Sequence, residues 1–250
     1  MNVYDPDTVL RAIDRNAVAV VAIGGASILA MFVFFIEAIR SSRRDHVYSM
    51  ALWMTALWFP HDWSYLFRFH DWFGGRYSHW FMQLFWVAII VTAVSETTYA
   101  VQTIRYGRAQ LSPQHSQHGH AMRILAVLAA GVISWSLLKG ALDDHLYLLS
   151  FMATLMWGGP SGHAMLSRYP DGRGQVQSTW IAFSAMAVLY SITSICFFGG
   201  GFFHSWQYVG ICVASCAWSF VLIADLRRIG VPLTASHSGG RPALRCVPRG

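Results

Sequence analysis

The stretch "ALWMTALWFPHDWSYLF" (51–67) is apolar or aromatic at most positions, yet it carries Pro60, His61 and Asp62 in succession. Extended back to residue 46, the run has the roughly 20 residues that an α-helix needs to cross a hydrocarbon core. Six more runs of this kind lie at 16–39, 79–104, 121–139, 145–164, 178–199 and 206–226. The sequence therefore predicts an all-α polytopic membrane protein, a seven-transmembrane-helix bundle occupying residues 1–228 as one domain. A flexible, basic tail rich in Ser, Gly, Pro and Arg is expected at 229–250.

Composition agrees with that reading. Of 250 residues, 55% are hydrophobic and 12% charged, where a soluble domain carries about 25% charged residues. Mean hydropathy is +0.41. So many apolar side chains point to lipid as the surrounding solvent. The net charge of +6 comes almost entirely from Arg, since Lys139 is the only lysine. Those arginines are scattered over the connections between apolar runs, a membrane-topology pattern rather than a nucleic-acid footprint, and no nucleic-acid partner is expected.

Thirteen of the Lys and Arg residues fall on one side: Arg40, Arg43, Arg44, Arg105, Arg108, Arg123, Arg168, Arg173 and the five arginines from Arg227 to Arg249. The other side has five, at Arg11, Arg15, Arg68, Arg76 and Lys139. The positive-inside rule then puts the N-terminus outside and the C-terminus in the cytoplasm. No signal peptide is read in the first residues, which hold Asp5, Asp7, Arg11, Asp14 and Arg15. Cys196, Cys212, Cys216 and Cys246 form no CxxC pair and read as reduced thiols.

An ionisable group within a bilayer is costly and needs a reason. On a helix, Trp58, Asp62, Tyr65 and Phe69 share one aromatic face, and Pro60 cannot donate to the carbonyl of Ala56, so a kink is expected just before the acid. A carboxyl among rings, poorly solvated, is expected to keep its proton and to act as a donor. The triplet His-Asp-Trp recurs at 70–72, but nine helical residues turn a side chain by about half a circle and advance it about 13 Å. Asp71, before Gly74 and Gly75, is therefore read as a solvated cap, and Asp143 and Asp144 as loop residues.

In "VSETTYAVQTIRYG" (94–107), Glu96 shares a helix face with Thr92, Tyr99 and Thr103, a polar face that must look into the bundle or a cavity. Asp225 precedes Arg227 and Arg228, and Glu37 can pair with Arg40 on its own helix. His115, His118 and His120 sit in what reads as a flexible loop. The HxxxH and HxxHH spacings of membrane diiron enzymes are missing, and no metal or other cofactor is expected. A retinal protein would need its lysine in the seventh span, and Lys139 ends the fourth.

Seven spans in this length, "HDWSY" (61–65) late in the second span, and Glu96 ten residues before Tyr106 and Gly107 resemble the integral-membrane terpene cyclases. These serve fungal indole-diterpene and meroterpenoid pathways, with bacterial relatives that cyclise drimentine-type prenylated indoles. The family motif begins with Trp-Glu; here Asp62 occupies the acid position and His61 the tryptophan position. The resemblance implies Asp62, Glu96 and Asp225 as catalytic acids, Asp225 standing for the acid of the last span. It also implies Trp58, His61, Trp63, Tyr65, Tyr99 and Trp218 as substrate-binding residues, and a lipophilic prenylated substrate. In such chemistry a neutral acid protonates an epoxide or terminal alkene, and ring faces stabilise the cations that follow. The rival reading is a small transporter or ligand-binding membrane protein with helix breaks at Pro60, Pro160 and Gly199–Gly201; a third is a scaffold subunit whose acids only pack helices.

Overall fold

The computed structural model describes residues 3–235. Every regular element among them is helical: α1 Pro6–Arg15, α2 Ala17–Asp45, α3 Leu52–Phe67, α4 Phe69–Phe73, α5 Trp80–Tyr106, α6 Arg108–Leu111, α7 Gln117–Leu142, α8 Leu148–Met156, α9 Gly158–Arg168, α10 Gln177–Phe197 and α11 Trp206–Arg228, with a 3₁₀ turn at Gly201–His204. Five of these, α2, α5, α7, α10 and α11, are long and apolar enough to cross a membrane. Their outward faces fit such a protein: Leu84 and Val87 on α5, Ile133 and Leu137 on α7, and Phe220 and Val221 on α11 are all exposed, an apolar surface that water would not tolerate.

The two remaining expected spans take other forms. The run at 46–67 becomes helical only at Leu52, because His46 ends α2 with a left-handed backbone (φ 53°) and Ala51 is extended. The run at 145–164 becomes two helices that meet at Trp157. Pro160 has no N–H for the carbonyl of Met156, which ends α8 one residue before the junction. Residues 231–235 of the expected tail pack back, the amides of Gln177 and Ser178 donating to the carbonyls of Pro232 and Leu233 at 3.0 and 2.8 Å. The rest of that tail, 236–250, with Arg241, Arg245, Arg249 and Cys246, lies outside the described residues. Cys196, Cys212 and Cys216 are free thiols.

The helices pack as two groups. α10 lies against α2 on one side and α11 on the other, while α3 lies against α5 and α7; α2–α5 and α3–α8 contacts join the groups. One end is closed by α1, whose buried face is Val9, Leu10, Ala12 and Ile13. There Tyr4 donates to Asp144, Arg68 donates to the carbonyl of His145 at 3.0 Å, and Asp14 accepts from the indole of Trp80 at 2.7 Å. The opposite end gathers the turns around residues 46, 107 and 173: Gly174 N donates to Asp45, Gln175 to the carbonyl of Ser49, and Arg168 to Tyr48.

Pro60 leaves the carbonyl of Ala56 without its helical partner, and α7 approaches that carbonyl through a glycine. A Cβ on Gly131 would stand 2.2 Å from Ala56 O, so only a bare Cα, able to offer a weak C–H contact, fits. Gly140, on the same helix, would place a Cβ in open space. Gly131→Ala is expected to lose about 1–3 kcal/mol to overpacking, a drop of several degrees in the thermal midpoint of the detergent-solubilised protein. Gly140→Ala should leave that midpoint unchanged or slightly raised.

Candidate functional site

The two helix groups meet at Asp62. Its carboxyl is 6% exposed and lies 2.8 Å, Oδ1 to Nδ1, from the imidazole of His61. A contact of that length needs one proton between the two atoms, on the ring facing a carboxylate or on the acid facing a neutral ring. The His61 ring is itself buried, with the Trp135, Tyr147 and Phe151 rings at 5.1, 5.6 and 6.1 Å, and its Nε2 has no partner.

Asp62 borders a small hollow of about 20 Å³ contributed by α2, α3, α5, α8 and α10. Phe34, Phe35, Trp58 and Phe151 give it ring walls, and Thr92 is among its few polar neighbours. Such a space holds about one water molecule. Trp58 is fixed by its indole donating to the carbonyl of Thr154 at 3.1 Å, with Phe34 and Phe35 edge-on at 5.9 and 6.2 Å.

Glu96 lies one helical turn beyond Thr92 on α5. It is fully buried, and neither carboxyl oxygen has a hydrogen-bond partner. Tyr99 is also buried; its hydroxyl is unpartnered, and its ring stacks on Phe35 at 5.8 Å. Asp62 lies within electrostatic reach of Glu96. Thr92 and Thr103, on the same face, return their hydroxyls to the carbonyls of Ile89 and Tyr99. Glu96, Tyr99 and His61 are thus among several buried groups of the described residues with unmet hydrogen-bonding capacity, and Glu96 is the one carboxyl among them.

The other expected site residues divide. Tyr65 is buried in an aromatic stack, 4.6 Å from Trp72, that reaches His61 through the Tyr147 ring at 5.2 Å, and it donates to the carbonyl of Met82 at 3.0 Å. Trp63 sits with Phe59 and Phe67 and does not border the hollow. Asp225 and Trp218 belong to a different cluster. There His163 Nε2 is 3.2 Å from Asp225, the Trp218 indole donates to His163 Nδ1 at 2.9 Å, and Arg228 reaches Asp225 at 3.4 Å. The structure thus brings together Asp62, His61, Trp58, Glu96 and Tyr99, joins Tyr65 to His61 through the Tyr147 ring, and leaves Asp225, Trp218 and Trp63 apart from them.

Asp144, read as a loop acid from the sequence, is fully buried. It accepts from Tyr4 and from the amides of Leu148 and Ser150 at 3.2 and 2.7 Å, holding the start of α8. Burial first, and Asp144 beside it, push the Tyr4 hydroxyl well above its ordinary value, so it stays a donor. Its position just before an apolar run, "DHLYLLS", was the available signal. Glu37 is bonded to Arg40, as expected, and also to Ser178 and Ala235 N. Asp71 pairs with Arg68 at 2.7 Å.

His118 and His120 are not in a loop but in the first turn of α7, with His120 buried against the carbonyl of Thr103 at 3.1 Å. Ser116, one residue before that helix, accepts from Gly119 N at 3.1 Å and so starts it earlier than the apolar run implied. Among the described residues no three His, Cys, Asp or Glu side chains are placed to hold a metal ion. No family model, no curated protein and no solved structure matches this chain, so the case for its chemistry rests on this geometry.

A buried carboxyl without partners destabilises a fold, by about 1–3 kcal/mol for each unmet polar group. Glu96→Met is therefore expected to raise the thermal midpoint of the purified protein by several degrees. Glu37→Met, which strips partners from Arg40, Ser178 and Ala235, should lower it. Thermal unfolding of both variants in one detergent checks the pair.

Proposed function

We propose that this chain is an integral membrane protein with seven crossings, formed by α2, α3, α5, α7, the α8–α9 pair, α10 and α11. The α1 end lies outside and the arginine-rich end in the cytoplasm. The helices beyond the five long ones are short because α3 starts only at Leu52 and the Trp157 junction divides α8 from α9, and broken helices in lipid commonly border a site. A multi-pass position among membrane lipids, in the cytoplasmic membrane if the source is bacterial, follows from this reading.

Within that bundle we infer a metal-independent terpene cyclase acting on a lipophilic substrate with a prenyl chain on an indole or other aromatic ring. The observation that carries the reading is the pair of carboxyls, Asp62 and Glu96, in one ring-walled interior, with both Glu96 oxygens free of partners. The Asp62–His61 pair would give its shared proton to an epoxide oxygen or a terminal alkene carbon. With an epoxide, the C–O bond breaks, its electron pair stays on oxygen as the new hydroxyl, and the carbon left behind is cationic. Successive π bonds attack that cation and its successors, closing rings. The last cation returns a proton to the Asp62–His61 pair, so the pair is restored and the product is an isomer of the substrate, while the unpartnered Glu96 carboxyl is free to hydrogen-bond the new hydroxyl. The faces of Trp58, Phe34 and Phe35 would stabilise the intermediate charge, each by about 0.5–2 kcal/mol. Asp225, half exposed and paired with His163 and Arg228, has no part in this sequence.

One observation favours a second reading, a carrier or binder of lipophiles: α3, which carries Pro60, and α8, which ends at the Trp157 junction, pack against each other at the same hollow. The two readings separate in one experiment. Cells or membranes containing the protein are given farnesylated and epoxidised prenyl-aromatic compounds, and extracts are resolved by chromatography with mass detection. A cyclase yields a new peak of unchanged mass, which Asp62→Asn should reduce by about three orders of magnitude or more while the variant still accumulates, folded, in the membrane. Substrate that only changes compartment supports the carrier; turnover that survives Asp62→Asn removes the acid from the mechanism.

A further inference from the structure

A second and larger apolar space, about 330 Å³, lies between α2, α5 and α10, in the half of the bundle nearer α1. Its size is that of small-molecule sites. None of its lining side chains carries a charge, and those with polar atoms have already used them within the protein. Ser27 donates to the carbonyl of Met186, Thr193 to Leu189, Tyr190 to Leu148, and the Trp80 indole to Asp14. An occupant of this space is therefore offered hydrocarbon contact alone.

Its position is set by an irregularity in α2. Val20–Gly24 forms a π-helical turn, a widening that occurs mostly at functional sites, and Gly24 and Gly25 follow with no side chains to fill the gap. The rim consists of exposed apolar residues, Val21, Leu84 and Val87, so the opening faces where lipid tails would lie. At its inner side the pocket shares Met31 and Phe151 with the hollow beside Asp62. Two flexible or rotatable side chains thus stand between a lipid-facing apolar pocket and a buried acid.

We propose that this pocket holds the hydrocarbon tail of a prenyl compound, which slides in sideways from the bilayer at the Val20–Gly24 turn and reaches Asp62 past Met31 and Phe151. An acyl chain of a membrane lipid shares the hydrocarbon chemistry but brings no π bond or epoxide to the acid. The choice of a prenyl tail therefore rests on the cyclase reading of Asp62.

The test measures occupancy, not turnover. Purified protein in lipid nanodiscs is irradiated with farnesol bearing a diazirine, and separately with a phosphatidylcholine bearing a diazirine on its acyl chain; labelled residues are mapped by mass spectrometry. The farnesol probe is expected to label α2, α5 or Phe151 around the pocket and to be displaced by unlabelled farnesol. Gly25→Phe should cut that labelling by about tenfold, since residue 25 is helical (φ −61°) and a Cβ there meets nothing within 4 Å. Gly210→Phe, equally open but on α11 away from the pocket, should not. Asp62→Asn should retain full labelling, because binding requires no proton. Labelling by the phosphatidylcholine probe that farnesol fails to displace, or labelling by neither probe, overturns the proposal. Labelling with the expected variant pattern, but no isomeric product from any prenyl compound, upholds the pocket and overturns the cyclase. Product formation at wild-type rate in Gly25→Phe does the reverse.

Discussion

The interior of a bundle solvated by lipid has no bulk water to satisfy its polar groups, and that one constraint organises the rest of the structure. Most of the chain obeys it locally. Ser95, Thr97, Thr103, Ser184, Ser191 and Thr193 each return a hydroxyl to the carbonyl four residues earlier. Several indoles that enter the interior find backbone carbonyls, Trp58 that of Thr154, Trp72 that of Tyr65 and Trp86 that of Leu66, while Trp135 and Trp180 find Ser64 and Gln175 side chains. Even the carbonyl stripped of its donor by Pro60 is met by the Cα of Gly131. Buried polar atoms without a partner are the exceptions, at Thr55, Trp63, Ser150 and Tyr208 among others. Four of them, two oxygens on Glu96, a phenol on Tyr99 and a nitrogen on His61, share the region where α2, α3, α5 and α8 meet.

The acids of the chain separate cleanly by how they meet the same constraint. Asp144 and Glu37 are buried or nearly so, and each gathers three donors, so both act as fasteners, one at each end of the bundle. Asp71 and Asp225 keep contact with the surroundings and pair with Arg68 and with His163 and Arg228. Asp62 has a single partner, the neighbouring histidine. Glu96 has none. The acids least satisfied by partners, Asp62 and Glu96, are the ones to which the proposed chemistry assigns a role, since an acid that proteins retain at a cost to stability is the kind selected for function.

Much of this was legible in the chain because helices impose a fixed geometry on sequence. The apolar runs gave the long helices, and the face periodicity of 92, 96, 99 and 103 correctly placed a polar stripe toward the interior. Helix breaks were less legible. Pro60 lies inside a continuous helix, whereas the interruption near Pro160 falls at Trp157, where the missing donor ends the preceding helix rather than bending the following one. Relations between helices could not be read at all. Nothing in the order of residues says that Asp225 meets His163 on α9 while Asp62 meets the α2 rings, because those pairings depend on which helix faces which. Phe34, Phe35, Met31 and Phe151 went unread for the same reason: apolar residues in apolar spans carry no local mark. Asp144 had a mark, its place before a helix, that an emphasis on acids within spans passed over.

The sizes of the two apolar spaces then constrain any chemistry at Asp62. A hollow of about 20 Å³ admits a water or one small group, far less than a prenylated ring system. Under the proposed cyclase reading, turnover at this acid would require Met31 and Phe151, which line both spaces, to move, joining the hollow to the space of about 330 Å³ behind it. Methionine suits such a wall, being unbranched and able to refill irregular gaps, and Phe151 presents one ring toward both His61 and Tyr190. In the closed arrangement the acid pair is screened from lipid and from any stray nucleophile. Opening exposes it only to what already occupies the apolar pocket. For the carbocations of the proposed reaction, which water would quench, a site that forms only around its occupant would be a chemical requirement as much as a packing outcome.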